Sequence, residues 1–434
     1  MAFKELTLAD CAKKIIDNRG KTCPVGDTGM PLIATNCVKN DLLYPAYETT
    51  RFVSDSTYET WFRGHPDPGD IIFVTKGSPG RVCLAPNPVD FCIAQDMVSI
   101  RADEGKIYPK YLFAALRSAE IQHRIEIMHV GTMIPHFKKG DFDKLWIPIP
   151  SRPQQVVVGD TYFELSARIE LLRRTNITLE AIAQALFKSW FIDFDPVHAK
   201  VEGREPDGVD AATAALFPDS FEDSALGPIP QGWGVGSLSN YSDLNALSWS
   251  NKNHPAILRY LDLSNVKDNR IDTVSDYVFA DAPSRARRIL RRGDTIVGTV
   301  RPGNRSFAYV ADADAALTGS TGFAVLSPKA TTTREFVYLA ATCDSNIERL
   351  ANLADGGAYP AVRPELVSAT TTVLPTDSVL DAFSAIASPL FAKQNESSAM
   401  QRNLSQLRDT LLPRLISGKL RLPDAQALIE EATP

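Results

Sequence analysis

The side chains able to do chemistry are scattered along this chain. Histidines stand at 65, 123, 129, 136, 198 and 254, and none has a nucleophile or a metal-ligand spacing around it. Isolated imidazoles of this kind read as solvated or hydrogen-bonded structural residues. The acids of Asp193-Phe194-Asp195-Pro196 are close together, but the proline fits a helix stop. The residue before a proline avoids helical geometry, and the proline nitrogen has no hydrogen to donate. The chain carries no G-x-x-x-x-G-K-[ST] phosphate loop and no strand–GxGxxG–helix unit. It also lacks an Asn/Asp-Pro-Pro-aromatic run of the kind that holds a flipped adenine. No catalytic residue and no metal ligand is assigned. A nuclease site assembled from distant acids stays open as an alternative.

Cys11, Cys23, Cys37, Cys83, Cys92 and Cys343 form no CxxC pair and no closely spaced Cys/His set. They read as reduced thiols of a cytoplasmic protein rather than a zinc site or disulfide framework. The N-terminal MAFKELTLADCAKK lacks the apolar core of a signal peptide, and no apolar run approaches a membrane span.

The basic loops are more informative. Ser284–Arg305 holds arginines at 285, 287, 288, 291, 292, 301 and 305 against one acid, Asp294. In a chain of net charge −6 and pI about 5.6, such a segment is a local electropositive feature suited to phosphates and guanine edges. Arg291 and Arg292 fit a solvated face paired to carboxylates equally well. Arg285, Arg287, Arg301, Asn304 and Arg305 are the candidate DNA contacts, the last three in a turn around Pro302 and Gly303. The corresponding loop upstream is Thr75-Lys76-Gly77-Ser78-Pro79-Gly80-Arg81, with Lys76 and Arg81 as candidates. A second pair of loops, Gly131–Lys139 and Gly356–Arg363, adds His136, Lys138 and Lys139 to the first set and Tyr359 and Arg363 to the second.

These loops need rigid elements to hold them. Stepping back from Trp190 through Leu186, Ala183, Leu179, Asn176, Leu172 and Ile169 to Leu165, the intervals alternate four and three. That is a heptad seam with one strongly polar member, and it predicts a helix whose stripe packs along another helix. Asn176 there either fixes register or faces water. The pattern returns 225 residues later with Leu404, Leu407, Leu411 and Leu415. The same offset relates Tyr111-Leu112-Phe113 to Phe336-Val337-Tyr338, Gly131…Pro135 to Gly356…Pro360, and Ile149-Pro150 to Leu374-Pro375. Gly69-Asp70 and Gly293-Asp294 stand 224 apart. One register held over so many landmarks is a tandem duplication.

The fold class is α+β. Each half has a mixed region of short strands (Leu32–Ala34, Ile71–Thr75, Arg81–Leu84 and Val98–Ile100 in the first), then one helix (Lys110–Met128; Glu335–Leu353), a Gly-to-Pro loop, a short strand and a long helix. The expected divisions are a first globular domain over 1–150, its helix over 151–195, and a surface linker over 196–225. A second globular domain follows over 226–375, then its helix over 376–425 and a tail over 426–434. The two long helices are expected to pair as an antiparallel coiled coil.

Taken together, LFKSWFIDFDPVHAK at Leu186–Lys200, the GD-[IT]-I strand followed by a Gly/Arg loop, GTMIPHFKKGDF before IPIP, and LLPRLISGKL at the end resemble the specificity subunit of Type I restriction-modification systems. The resemblance runs over essentially the full length and is most specific at Leu186–Lys200. It implies a non-catalytic subunit in which each globular half is a target-recognition domain reading one half of a bipartite double-stranded DNA site. It further implies that the paired helices are the spacer, with no cofactor on this chain. S-adenosylmethionine would belong to two modification subunits, and ATP and Mg to restriction subunits. Gln394, Ser397, Gln401 and Arg408 depart from the seam pattern in the second long helix. From the residues alone, a duplicated protein-binding scaffold and a fused methyltransferase or nuclease are the competing classes.

Overall fold

The structure, a computed structural model, describes residues 4–18, 21–47, 51–93, 95–128 and 135–416. The chain divides into two compact units, one of Met1–Arg174 with Ser398–Pro434 and one of Thr175–Ser397.

In the first unit, an antiparallel sheet runs in the order Ala12–Asp17, Met97–Ala102, Ile71–Val74, Val82–Leu84. All four residues of Ile71–Val74 are buried, as a continuous apolar run in a central strand requires. A second, smaller sheet sets Leu32–Ile33 parallel to Cys92–Ile93. The terminal strand Lys4–Thr7 pairs with Trp146–Ile149.

The second unit repeats the plan. Its first sheet runs Ser242–Leu244, Phe323–Pro328, Thr295–Gly298, Phe307–Tyr309, again antiparallel throughout. Its other sheet sets Ile257–Leu261 parallel to Leu317–Ser320, and Gly234–Ser237 pairs with Thr371–Leu374. The duplication read from the sequence is therefore also a duplication of strand order.

Each helix expected after the sheets is in fact two. Pro109–Arg117 ends at Ser118, whose ψ of 145° is extended, and Ala119–Met128 follows. Ser118 Oγ accepts from the Ile121 amide, so the serine serves as the cap of the second helix. Arg334–Thr342 and Asp344–Asn352 are broken in the same way at Cys343, with ψ of 148°. Apolar periodicity continues across both breaks, which hid them.

The long helices are Arg152–Phe191 and Asp377–Ile416. Beyond the first, Phe194 takes a left-handed φ of 55° and Pro196 opens a new helix, Asp195–Val201. Proline is tolerated in a first turn, where its missing donor is not needed, so it ends one helix and starts the next. The following segment is not the surface linker expected. Val197, Phe217, Ile229 and Trp233 are all buried, in one core with Trp190 and Phe191. Its acids are exposed, while Pro196 and Phe217 are buried.

In the first unit Val158, Tyr162, Leu165 and Ile169 of one long helix share a core with Leu404, Leu411, Leu412, Leu415 and Ile416 of the other. Leu172 and Leu407 are partly buried against the same core. In the second unit Ala183, Phe187, Trp190 and Phe191 share a core with Val379, Leu380, Phe383, Ala387 and Phe391, and Leu186 packs against it. Leu179 and Asn176 are half-buried. Asn176 Nδ2 donates to the Gln394 carbonyl (3.3 Å) and Gln394 Nε2 returns a bond to the Asn176 carbonyl (3.2 Å). No helix among the described residues is long and apolar enough to cross a membrane. The C-terminal tail lies outside the described residues.

Candidate nucleic-acid interface

The two loop pairs singled out from the sequence meet in each unit, by the same backbone bonds. In the first, the Gly77 amide donates to the Pro135 carbonyl (2.9 Å) and the Phe137 amide to the Thr75 carbonyl (2.8 Å). In the second, the Arg301 amide donates to Pro360 (2.7 Å) and the Val362 amide to Thr299 (2.9 Å). Lys76 thereby faces His136, and Val300 faces Ala361. Buried Phe137 and Val362 fasten the second loop of each pair to the core beneath, leaving the intervening side chains outside. Residues 131–134 of the first pair lie outside the described residues.

Both ends of the second unit's arginine turn are left-handed, Arg301 at φ 49° and Arg305 at φ 60°. The first unit puts glycines there, Gly77 at φ 83° and Gly80 at φ 87°. For a residue with a Cβ this conformation costs roughly 1–2 kcal/mol, so an arginine kept at such a place points to a use for its guanidinium.

The two arginines are held differently. Arg301 is exposed, donates to the Ala358 carbonyl and lies over the ring of Tyr359, which is 72% exposed. Among the described residues, no carboxylate pairs with it. Arg305 is clasped by Asp268 and by Asp344 (2.7 Å) and stacks on Phe307. Asn304 between them is exposed, as is Arg363, which stands at the cap of the short helix Pro364–Ser368.

Elsewhere the expected contacts divide in the same way. Lys76, Arg81, His136 and Lys138 are exposed, whereas Lys139 pairs with Asp17 and its partial burial lowers its pKa. Arg285 donates to the Tyr260 hydroxyl (3.1 Å) and pairs with Asp262 (2.9 Å). Those partners raise its pKa. Arg287 lies over Phe279, whose other contact is a parallel stack with His254 at 3.5 Å. The arginine-rich segment is therefore a partly neutralised surface, with Arg285 and Arg305 paired to carboxylates and Arg301 exposed without one among the described residues.

Sequence reading passed over the turn Asp268-Asn269. The signal was present in VKDNR, an Asp-Asn pair between two short strands, Val266–Lys267 and Arg270–Ile271. Such pairs favour hairpin turns needing positive φ, and Asp268 and Asn269 have φ of 45° and 60°. Among the described residues, no group of three or more His, Cys, Asp or Glu side chains is arranged to hold a metal ion.

An exposed guanidinium on a rigid turn beside an aromatic ring is suited to a phosphate, a guanine edge or a base face. Residues 7–181 match the family model described as the Type I restriction modification DNA specificity domain. The HindI Type I specificity subunit of Haemophilus influenzae is 25% identical over 413 residues, covering 81% of this chain and 86% of that protein. The MjaIX Type I specificity subunit of Methanocaldococcus jannaschii is 21% identical over 364 residues, covering 82% of this chain and 78% of that protein. In fold, the chain is similar to the crystal structure of a Type I restriction-modification S subunit from M. genitalium. The TM-score there is 0.51 at 15% identity, with 96% of each chain covered. By these matches the chain is similar to the specificity subunits of Type I restriction-modification systems.

Proposed function

We propose that this chain is the non-catalytic DNA-specificity subunit of a Type I restriction-modification complex in the cytoplasm. Each half reads one part of a bipartite, asymmetric double-stranded site. The observation that carries this reading is the repeated stitch, Gly77 to Pro135 and Arg301 to Pro360, which presents a two-loop cationic surface at the same place in each half. Residues 1–150 and 226–375 act as the two target-recognition domains. The helices over 151–195 and 376–425 pair as an antiparallel coiled coil and serve as the spacer, with 196–225 connecting the halves and 426–434 as the tail.

Lys76, Arg81, His136, Lys138 and Lys139 face DNA in the first half. Arg285, Arg287, Arg301, Asn304, Arg305, Tyr359 and Arg363 form the corresponding surface in the second. Cations at these positions supply counterion release for any sequence, and a guanidinium reaching a base edge adds discrimination. The chain itself holds no cofactor. Two modification subunits bring S-adenosylmethionine and methylate adenine, and restriction subunits bring ATP and Mg. The test is to map methylated adenines genome-wide in a host expressing this chain with its modification subunits. Methylation at one bipartite motif supports the reading, and methylation without this chain, or at no common motif, overturns it.

A further inference from the structure

One turn in the second unit touches both the arginine loop and the long helices. The Asp268 amide donates to the Arg305 carbonyl and the Asn269 amide to the Phe307 carbonyl, both at 2.9 Å. The Asp268 carboxylate takes the Arg305 guanidinium. On its other side, Asn269 Nδ2 donates to Glu180 Oε2 on the first long helix (2.8 Å) and to Gln394 Oε1 on the second (3.4 Å). Its Oδ1 accepts the Tyr309 amide (2.9 Å), so the carboxamide is used at both ends.

Glu180 is the node of this arrangement. Its carboxylate accepts from the Tyr338 hydroxyl (2.7 Å), from Asn269, from Gln394 Nε2 (3.1 Å) and from Gln184 Nε2 (3.3 Å), with no cation among these partners. A charged acceptor served by several neutral donors holds each of them more firmly than a neutral acceptor would. Gln394 in turn bonds the carbonyl of Asn176, the polar member of the seam. The hydrogen bonds thus run unbroken from Arg305 through Asp268-Asn269 to Glu180, Gln394 and Asn176.

The first unit is held differently among its described residues. There Arg117 Nη2 donates to the carbonyls of Lys39 (3.3 Å) and Val82 (2.8 Å), and Tyr44 lies under Arg174 of the long helix.

We propose that Asn269 is a positioning residue for sequence reading: it locks the Arg301–Arg305 turn to the seam of the long helices, so that the second half's readout depends on a side chain that touches no DNA. This rests on the DNA-specificity reading above. Asn269→Gly keeps the left-handed backbone while removing the carboxamide, and Glu180→Gln keeps the helix while weakening the node.

The experiment uses the full chain assembled with its modification subunits. Methylation rates are measured on the cognate site and on sites with single base changes in each half. In parallel, hydrogen exchange is followed at the amides of Asn304 and Arg305, which donate to Arg301 and Pro302. Both variants are expected to speed that exchange and to lower discrimination in the second half-site by about tenfold, the scale of one or two lost hydrogen bonds. Discrimination in the first half-site should be unchanged. Unaltered exchange, or an equal loss of rate on every DNA, overturns the inference. A wild-type complex without sequence preference would instead overturn the specificity reading, a result separable from the first because the exchange measurement needs no DNA.

Discussion

The guanidinium carbon of Arg301 sits 4.8 Å from the centre of the Tyr359 ring, joining the two loops of the second half by side chains as well as by backbone. The ring restricts the arginine without neutralising it, so its donors stay available to a ligand. Arg301→Ala is expected to cost about 1–3 kcal/mol of discrimination at one base pair, the range of a good bidentate base contact. Tyr359→Ala should cost about 0.5–1 kcal/mol through the lost stack. The two losses should be less than additive, because they remove one unit. Binding titrations against single-base variants at several salt concentrations measure this, and a uniform loss across sequences with a smaller salt slope would place Arg301 on phosphate instead.

Arg305 should behave differently although it lies in the same turn. Its guanidinium is already committed to Asp268 and Asp344. Arg305→Ala leaves two carboxylates facing each other and loosens the turn that carries Arg301, so discrimination should fall across the second half-site rather than at one base pair. The pair is partly exposed, and the stability cost should be within about 1 kcal/mol. Loss of preference at one base pair alone, in an otherwise stable variant, would show that Arg305 reads bases directly.

How much of this was legible in the sequence depended on the kind of signal. The strand Ile71–Val74 and the 40-residue helices were, because a buried apolar run and a sustained heptad each demand one local structure. The duplication followed from a constant offset. The breaks at Ser118 and Cys343 were not, since apolar spacing alone does not report one extended ψ. The partners of Arg305 were hidden for a different reason: Asp268 is 37 residues away in sequence and Asp344 is 39, and only the folded sheet brings them together. Charge counts saw seven arginines, but not which were neutralised.

Gly159 offers a test of packing that is independent of function. In an isolated helix, replacing glycine with alanine stabilises by about 1 kcal/mol. Here a Cβ would lie 2.6 Å from the Tyr111 amide nitrogen and 2.9 Å from the Lys110 carbonyl carbon, backbone that cannot move aside. Gly159→Ala is therefore expected to destabilise the first unit by about 1–3 kcal/mol, the scale of overpacking. An unchanged or higher melting temperature would show that the helix does not approach so closely.

Burial pushes the thiols of Cys11, Cys83 and Cys92 up from an ordinary 9.0 to about 12. Folding thus favours their protonated form. Their contribution is constant below about pH 9, and stability falls as pH rises from 9 towards 12, where the unfolded chain releases those protons first. Denaturant titrations at pH 8 and pH 10.5 should show the fall, and replacing Cys83 with alanine should flatten it. At pH 8 in the native state these three should resist a thiol reagent, while half-buried Cys343 should react soonest.

The last prediction concerns residues far from the first domain in sequence but inside its core. Leu411 is 1% and Leu412 is 5% exposed, and both belong to the cluster built around Phe73, Phe113 and Tyr162. Truncating a buried leucine costs the transfer energy of its methyl groups and leaves a cavity, about 2–5 kcal/mol together. Leu411→Ala should therefore loosen the strands Ile71–Val74 and Met97–Ala102, over 300 residues upstream, while the core around Trp190 and Phe383 keeps its protection. Phe383→Ala should do the reverse, since its contacts are with Trp190 and Phe191 of the second unit's core. Hydrogen exchange resolved by peptide distinguishes the two. If Leu411→Ala leaves the first unit's strands as protected as before, the C-terminal helix does not complete that core, and a domain exchange at residue 150 needs no matching change near residue 411. If the strands open, any graft of a new first domain must carry side chains that fit Leu411, Leu412 and Leu415.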